Sequence, residues 1–447
     1  MADFRIKKGY DVPILGEASK ETSEMTHPSF VGVCPVEFPG LKPRLDVKVN
    51  DEVKIGTSLF HDKKDEDVRF LSPAAGRVTA INYGPRRVIE EIIIATGSSE
   101  THESFPKHTA ADIAGMSKDS MVAELRAGGV WPSIRRRPFN KIAKPDDNPK
   151  AIFVNCMDTA PLATDPNYAL KDDSDAFKAG VAALGVLCGT VEVCSAAGAN
   201  DSFGGSSGSM HTFSGKHPAG LTGTHVTHVS PINKGDVVWA VSARDAVRIG
   251  SLLLEGQYPT KRVVAVAGPG VSKPGYVKAR MGARISDLTG SKVADGEQRY
   301  ISGNVLSGAT RSAEGFLGYY DDLVTVLPEG REQRFVGWMM PGFNIPSFTR
   351  VFVSGLFGSK RFKMNTNING GLRAIIQSGM WERVVALDIF PEHLTKACMA
   401  GDIEAMENLG ILECDPEDFA LCTYIDPSKT EVSRIIAEGL ELIEKDG

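Results

Sequence analysis

Ala151-Ile-Phe-Val-Asn-Cys156 is an apolar run about one strand long, and its lack of alternation marks a strand covered on both faces. The chain after it supports a layered unit. Ser174, with Asp175 beside it, predicts a helix start, and Phe177, Val181, Leu184 and Val186–Leu187 form its apolar face. Thr190–Cys194 reads as the next strand, Val237–Val241 as another, and Ser242–Glu255 as a helix stopped by Gly256. Buried strands alternating with amphipathic helices predict a Rossmann-like α/β layer. Between them Asp201–Gly215, rich in Gly and Ser, reads as a mobile loop.

Working outward, the first hundred residues carry short alternating runs. They are Leu45–Val49, Ser58–Phe60, Leu71-Ser-Pro-Ala-Ala-Gly76-Arg-Val-Thr-Ala-Ile81 and Val88–Ile94. This pattern, with its turn glycines, resembles the barrel-sandwich of lipoyl and biotinyl carriers. That resemblance implies a cofactor-bearing lysine at a hairpin tip, near Lys63 or Lys64, while Asp62, Asp65 and Glu66 beside them suit a plain solvated turn. Beyond Arg262, Val263–Ala267 reads as a strand. Gly268-Pro-Gly270 looks like the opening of a dinucleotide loop, but Pro274–Gly275 and the extended Tyr276–Ala279 follow where that motif needs a helix N-terminus. The pattern resembles a β-grasp domain of the soluble-ligand-binding kind. Towards the end the chain turns helical: Pro391–Ala400, Asp402–Leu409, a start at Asp415–Pro416, and a last helix with Ser428 and Glu431 as an expected capping box. The expected organisation is α/β, mixed and multidomain, with a carrier-like sandwich over 1–100, a Rossmann-like α/β domain over 101–257, a β-grasp domain over 258–335 and a helical bundle over 336–447.

Composition excludes several classes. With 42% hydrophobic and 24% charged residues the 447-residue chain is an ordinary globular one, and a net charge of −6 gives no basic footprint for nucleic acid. No uncharged apolar stretch reaches the ~18–20 residues of a membrane span, and the start, MADFRIKKGY, has no apolar core of an export signal. Cys34, Cys156, Cys188, Cys194, Cys398, Cys414 and Cys422 contain no C-x-x-C pair, so neither a zinc site nor an iron–sulfur cluster is expected.

Six dispersed segments carry a closer resemblance. They are Ile6-Lys-Lys-Gly-Tyr-Asp-Val-Pro13, Ser72-Pro-Ala-Ala-Gly76, Arg135-Arg-Arg-Pro-Phe139, Met157-Asp-Thr-Ala-Pro-Leu-Ala-Thr-Asp165, His217-Pro-Ala-Gly-Leu-Thr-Gly-Thr-His225 and Glu417-Asp-Phe-Ala-Leu-Cys422. In register over nearly the whole length, the chain resembles the A subunits of sodium-translocating NADH:quinone oxidoreductases. It is more distantly similar to the C subunit of the Rnf complex and the flavin-carrying subunit of respiratory complex I. The resemblance implies a peripheral subunit on the cytoplasmic side of the bacterial inner membrane, held by membrane and peripheral partner subunits. The assembly would oxidise NADH, reduce ubiquinone to ubiquinol and export Na⁺.

The departures from the distant relatives imply that this chain holds no cofactor, covalently or tightly. Where the complex I subunit has a glycine-rich flavin-phosphate loop, Gly129-Val-Trp-Pro-Ser-Ile-Arg-Arg-Arg-Pro-Phe139 supplies a tryptophan and two prolines, which block close approach and remove N–H donors. The relatives' cysteine tetrad is reduced to scattered Cys398, Cys414 and Cys422. NADH, flavin and iron–sulfur centres are expected on partner subunits, no catalytic residue and no metal ligand is assigned here, and ubiquinone is the one candidate ligand. Candidates for quinone binding or subunit docking are Trp131, Arg135, Arg136, Arg137 and Phe139, cations interleaved with rings. His225 and His228, read as lying in an extended or loop segment, and Asp158 and Asp165, beyond a strand end, complete the set. Exposed ion-paired arginines, structural histidines and turn-capping aspartates are the plain readings of the same residues. The apolar Phe335–Phe348 stretch is a docking candidate, with core packing as the alternative for Trp338, Phe343 and Phe348. A stand-alone flavoprotein and a lipoyl- or biotin-carrying protein are the competing functions.

Overall fold

The computed structural model describes residues 2–24, 27–199, 203–332, 337–358, 360–376 and 378–446, apart from the side chain of Trp338. Ile152–Cys156 is the middle strand of a seven-stranded sheet ordered Ala2–Arg5, Ser209–Ser214, Val191–Ala196, Ile152–Cys156, Val238–Ser242, Arg135–Arg137, Lys141–Ile142. The first five run parallel, and the last two pairings are antiparallel. Ile152, Val154 and Cys156 face a core shared with the helices Ser174–Cys188 and Ala243–Glu255, while Ala151, Phe153 and Met157 face one shared with the helix Thr222–Val229. Covering on both faces is what the unbroken apolar run required.

The helices Ser174–Cys188 and Ala243–Glu255 touch backbone to backbone. A Cβ on Gly180 would stand 1.9 Å from the Ala246 carbonyl oxygen, and one on Gly250 1.8 Å from that of Ala176. Only glycine permits that approach. Ser242 caps the second helix by accepting from the Asp245 N–H, and Gly256, at φ 67°, ends it in the left-handed conformation.

Three expectations change. Ser209–Ser214, inside the stretch read as a loop, is a parallel strand next to Val191–Ala196; its pairing is made through the backbone, which composition does not report. Asp201 and Ser202 lie outside the described residues. His225 and His228 lie on the helix Thr222–Val229, not in an extended segment. The Ser428–Glu431 capping box does not form: Asp426 accepts from the Ser428 and Thr430 N–H groups, the Ser428 hydroxyl donates to the Ala374 carbonyl, and the last helix runs Val432–Asp446.

The sandwich has a four-stranded sheet, Phe30–Val33, Ile89–Thr96, Gly76–Tyr83, Glu52–Val53, and a three-stranded one, Pro43–Leu45, Ser58–Asp62, Asp65–Leu71. Two segments ahead of Phe30 serve other units. Ala2–Arg5 pairs with Ser209–Ser214, and Ser19–Glu24 pairs with Gly275–Arg280, short segments whose partners are chosen by edge hydrogen bonds. Lys63 and Lys64 are exposed at the tip of the Ser58–Leu71 hairpin, where neighbouring Asp65 pairs with Arg126 of the helix Lys118–Ala127. Ser19–Glu24 closes a six-stranded sheet ordered Ala309–Arg311, Gln298–Ser302, Leu323–Pro328, Lys261–Ala267, Gly275–Arg280, Ser19–Glu24. At its turn Gly268, φ 110°, donates its N–H to the Gly16 carbonyl and no helix follows directly. The helices Pro391–Ala400, Ile403–Asn408, Ala420–Ile425 and Val432–Asp446 close the chain, whereas the described residues between 337 and 390 form only short 3₁₀ turns and a single bridge from Phe362 to Ile14. Phe335 lies outside the described residues, Phe343 is 57% exposed rather than packed in the core, and Phe348 is partly buried against Tyr10.

Replacing Gly180 or Gly250 by Val is expected to lower the unfolding free energy by about 1–3 kcal/mol. Gly185→Ala on the same helix, where nothing lies within 4 Å of the new Cβ, is expected to raise it by about 0.5–1 kcal/mol. Calorimetric midpoints check both, and equal midpoints in all variants would contradict the helix contact.

Candidate functional site

Strand order reverses direction at Ile152–Cys156. The chain steps outward on one side to Val191–Ala196 and Ser209–Ser214, then returns to Val238–Ser242 on the other. The carboxyl ends of the two strands flanking this point open a crevice, the usual ligand position in open α/β sheets. A cleft of about 1090 Å³ lies there, lined by Asn155, Met157, Asp158 and Ala160 from one strand end, and by Ser242, Arg244, Asp245 and Arg248 from the other. Arg135 and Arg137 of the antiparallel strand, Arg262, Tyr320 and Asp322 of the β-grasp unit, and Glu417 of the C-terminal unit complete it.

Asn155 holds the first strand end. Its amide Nδ2 donates to the Gly220 carbonyl at 2.9 Å and its Oδ1 accepts from the Met157 N–H, which turns the chain into the Asp158–Ala160 loop. Asp158 faces the open cleft and accepts from the Ala160 N–H at 2.8 Å. Asp158 is itself exposed, but the cleft walls around it restrict its hydration, and this, with Asp322 and Glu417 adding to it, outweighs that bond and nearby Arg244 and raises the carboxyl to about 7.

On the second strand end Asp245 bridges two arginines. Arg248 reaches it at 3.1 Å and Arg244 at 3.3 Å, and the Ser242 hydroxyl donates to it at 2.7 Å. Although burial opposes it, these cations hold the Asp245 carboxyl well below the carboxylate range. Arg244 also pairs with Asp322 at 3.0 Å and donates to the Tyr320 carbonyl at 2.9 Å, while Arg262 donates to the carbonyls of Gly318, Tyr319 and Asp321. The Arg244 contacts fasten the β-grasp unit to the α/β sheet across the cleft, and the Arg262 bonds brace the 318–321 turn within the β-grasp unit. Burial and the two neighbouring arginines lower Arg262 to about 9.

The sequence candidates divide. Arg135, Arg137 and Asp158 meet at the cleft. Arg135 lays its guanidinium over the Tyr320 ring, 4.9 Å from its centroid. Arg137, 3% exposed, reaches Glu417 at 3.1 Å and Asp415 and Asp418 at 3.6 Å each. Asp415 and Asp418 are brought there by a capping box at the turn Pro416–Phe419. Asp418 is pushed up to about 8 and Glu417 is raised, in both by burial first, against the pull of Arg137, with the neighbouring carboxylates adding to it.

The other candidates are elsewhere. Trp131 is a core residue, its indole N–H donating to the Ala143 carbonyl at 2.8 Å and its ring edge-on to Trp239, so it does not line the cleft. Arg136 points away and pairs with Asp147 at 3.4 Å. Phe139, at φ 79°, packs partly buried against the C-terminal core. His225 is fully buried, its Nε2 bonded to the Ala219 carbonyl at 3.0 Å and its ring against Phe213; burial lowers it to about 3, a core histidine. His228 is exposed on the same helix and bonds the Thr224 carbonyl at 2.8 Å. Asp165 caps the short helix Pro166–Ala169 and pairs with Lys20 at 2.6 Å. Among the described residues no group of His, Cys, Asp and Glu is arranged to hold a metal. Sequence reasoning missed Arg244, Asp245, Arg248, Arg262 and Tyr320. For the first three the signal was available, since they open the helix that follows a predicted strand end.

Comparison with known proteins places these parts in one family. Three family models match in succession: the NqrA N-terminal barrel-sandwich hybrid domain over residues 4–97, the NqrA second alpha/beta domain over 116–258 and the NQRA C-terminal domain over 263–313. The chain is 40% identical over 444 residues to the A subunit of the Na(+)-translocating NADH-quinone reductase of Vibrio parahaemolyticus, covering 99% of each chain. It is 40% identical over 447 residues to that of Yersinia pestis, covering 99% of this chain and 100% of that one. This chain belongs to the NqrA family. The NqrA relative in Saccharophagus degradans, 39% identical over 447 residues, carries the same description. In the family's own division the cleft lies chiefly in the second alpha/beta domain, and the residues facing it come also from the β-grasp and C-terminal units. Among the described residues of this NqrA family member no helix is long and apolar enough to cross a membrane.

Asp158 and Asp418 both titrate higher in the folded chain than an unfolded aspartate at about 3.9. Folding therefore favours their protonated forms. Their contribution is present in full below about pH 4 and is lost as pH rises through about 7 for Asp158 and about 8 for Asp418. Unfolding midpoints are expected to fall between pH 5 and 9, and Asp418→Asn to flatten that fall; an unchanged slope would contradict the assignment. Arg137→Met, which strands three carboxylates, is expected to cost about 3–5 kcal/mol in denaturant unfolding.

Proposed function

We propose that this chain acts within the Na⁺-translocating NADH-quinone reductase as a peripheral subunit on the cytoplasmic side of the bacterial inner membrane, with the cleft as a contact site for the ubiquinone head. The convergence of Arg135, Arg137 and Asp158 on one cleft at the strand-order switch carries this reading. A quinone head offers a flat ring and carbonyl acceptors. Arg135 stacked on Tyr320 presents a flat cationic face to such a ring, and Arg244 brings charged N–H donors to the same space. Asp158, half-protonated near neutral pH, is placed to give one proton from its carboxyl to a quinone oxygen, with the electrons supplied by partner subunits.

No redox cofactor is assigned to this chain. The support is the turn Trp131–Ser133, which the resemblance aligns with the relatives' phosphate loop: all three residues are buried, Pro132 has no N–H, and the chain runs on into the strand Arg135–Arg137, not a helix N-terminus. Docking through the same arginines is a weaker reading, since Arg136 and Arg137 already have carboxylate partners within the chain. The carrier reading is opposed by the Asp65–Arg126 pair, which holds the Lys63–Lys64 tip against the α/β unit.

Photolabelling of the assembled complex with a photoreactive ubiquinone analogue is expected to mark residues 133–139 or 155–160, and Arg135→Ala to reduce the yield about tenfold. Labelling confined to partner subunits would overturn the quinone reading. The purified chain is expected to show neither flavin nor iron–sulfur absorption bands and an unmodified intact mass; stoichiometric bands or a lipoyl or biotinyl adduct would overturn the assignment of redox chemistry to its partners.

A further inference from the structure

Residues 337–376 contain Arg350, Lys360, Arg361, Lys363 and Arg373 and no aspartate or glutamate, in a chain whose net charge is −6. Such segregation is not the mixed charge of a surface that only keeps a protein dissolved. The first half of this stretch folds back on itself. The Val353 N–H donates to the Pro341 carbonyl at 2.9 Å, Lys360 Nζ to the Phe343 carbonyl at 2.8 Å, and Gly342 lies directly against the Phe352 ring. The resulting lobe turns apolar side chains outward. Met339, Met340, Phe343, Val351, Leu356 and Phe357 are all exposed, Val351 at 74% and Leu356 at 80%. Arg350 and Lys363 have no carboxylate partner among the described residues, and Arg361 has only an exposed one, Glu17 at 3.0 Å.

From this juxtaposition we infer that the lobe formed by the described residues of 339–358 and 360–363 rests on an anionic lipid surface, with its apolar side chains in the headgroup boundary and its arginines and lysines on the phosphates. Two observations favour lipid over a protein partner. Arg350 and Lys363, exposed and without a carboxylate partner among the described residues, stand beside exposed methionine, phenylalanine and leucine, which leaves cations free for phosphates next to apolar groups. The regular structure of the lobe is limited to the 3₁₀ turns Gly337–Met339 and Val353–Leu356 and the bridge of Phe362 to Ile14 of the same chain, so its exposed face offers neither a helix stripe nor a free strand edge to set a partner's register. An anionic leaflet needs no register. It attracts each nearby cation and accepts shallow apolar groups together. The inference depends on the chain's place in a membrane complex and is independent of the quinone reading.

The full chain should be floated with vesicles of phosphatidylcholine alone and of phosphatidylcholine with phosphatidylglycerol. About tenfold more protein is expected on the anionic vesicles, with the difference lost at high salt. Arg350→Glu with Lys363→Glu should remove that preference. Leu356→Ser with Phe357→Ser should lower binding about tenfold on the same vesicles, with thermal midpoints unchanged because all four side chains are exposed. Equal binding to both vesicle types, or no binding to the anionic ones, would overturn the inference. So would variants that bind vesicles normally yet fail to assemble with partner subunits, an outcome that assigns the lobe to a protein contact.

Discussion

Arg137 is the charge around which the units of this molecule are joined. It stands on the antiparallel strand at the margin of the α/β sheet, almost fully buried, and a guanidinium in that position is tolerable only with carboxylates brought to it. Asp415, Glu417 and Asp418 come from a turn some 280 residues further along the chain. Three carboxylates exceed one cation, and burial answers the excess by holding protons on the acidic side. The C-terminal unit is fixed to the sheet by this cluster, and Glu417 becomes part of the cleft wall.

The cleft follows from that joining. Two glycines let the helices Ser174–Cys188 and Ala243–Glu255 meet at backbone distance, which sets where Arg244, Asp245 and Arg248 emerge at the crevice. Arg244 then ties the β-grasp unit across it through the Tyr320 carbonyl and Asp322, and Arg262 braces that unit's own 318–321 turn. Trp131 and Trp239 pack edge to face behind the cleft, and its polar groups are the arginines and Asp158 on the walls.

Local pattern revealed some parts and not others, for reasons visible in individual residues. The strand at 151–156 and the helices at 174–188 and 243–255 were legible because burial on one or both faces imposes periodicity on side chains. The strand Ser209–Ser214 was not, because its place in the sheet depends on parallel hydrogen bonds to neighbours whose side chains do not announce them. His225 and Trp131 looked functional from their neighbours in sequence and proved to be core residues satisfied by single backbone carbonyls. Arg135, Arg137 and Asp158 looked no more special, and long-range folding brought them together.

Taken alone, the sequence determined the family and the layered α/β centre with its carrier-like and β-grasp companions, because each is written in contiguous residues whose spacing is itself the physical constraint. Tertiary structure alone decided which charges share a buried site. Electrostatic partnership depends on distance through space, and Arg137 with Glu417, Arg244 with Asp322, and Asp158 with Asp322, Glu417 and Arg244 became neighbours only when three separately patterned units closed on one cleft.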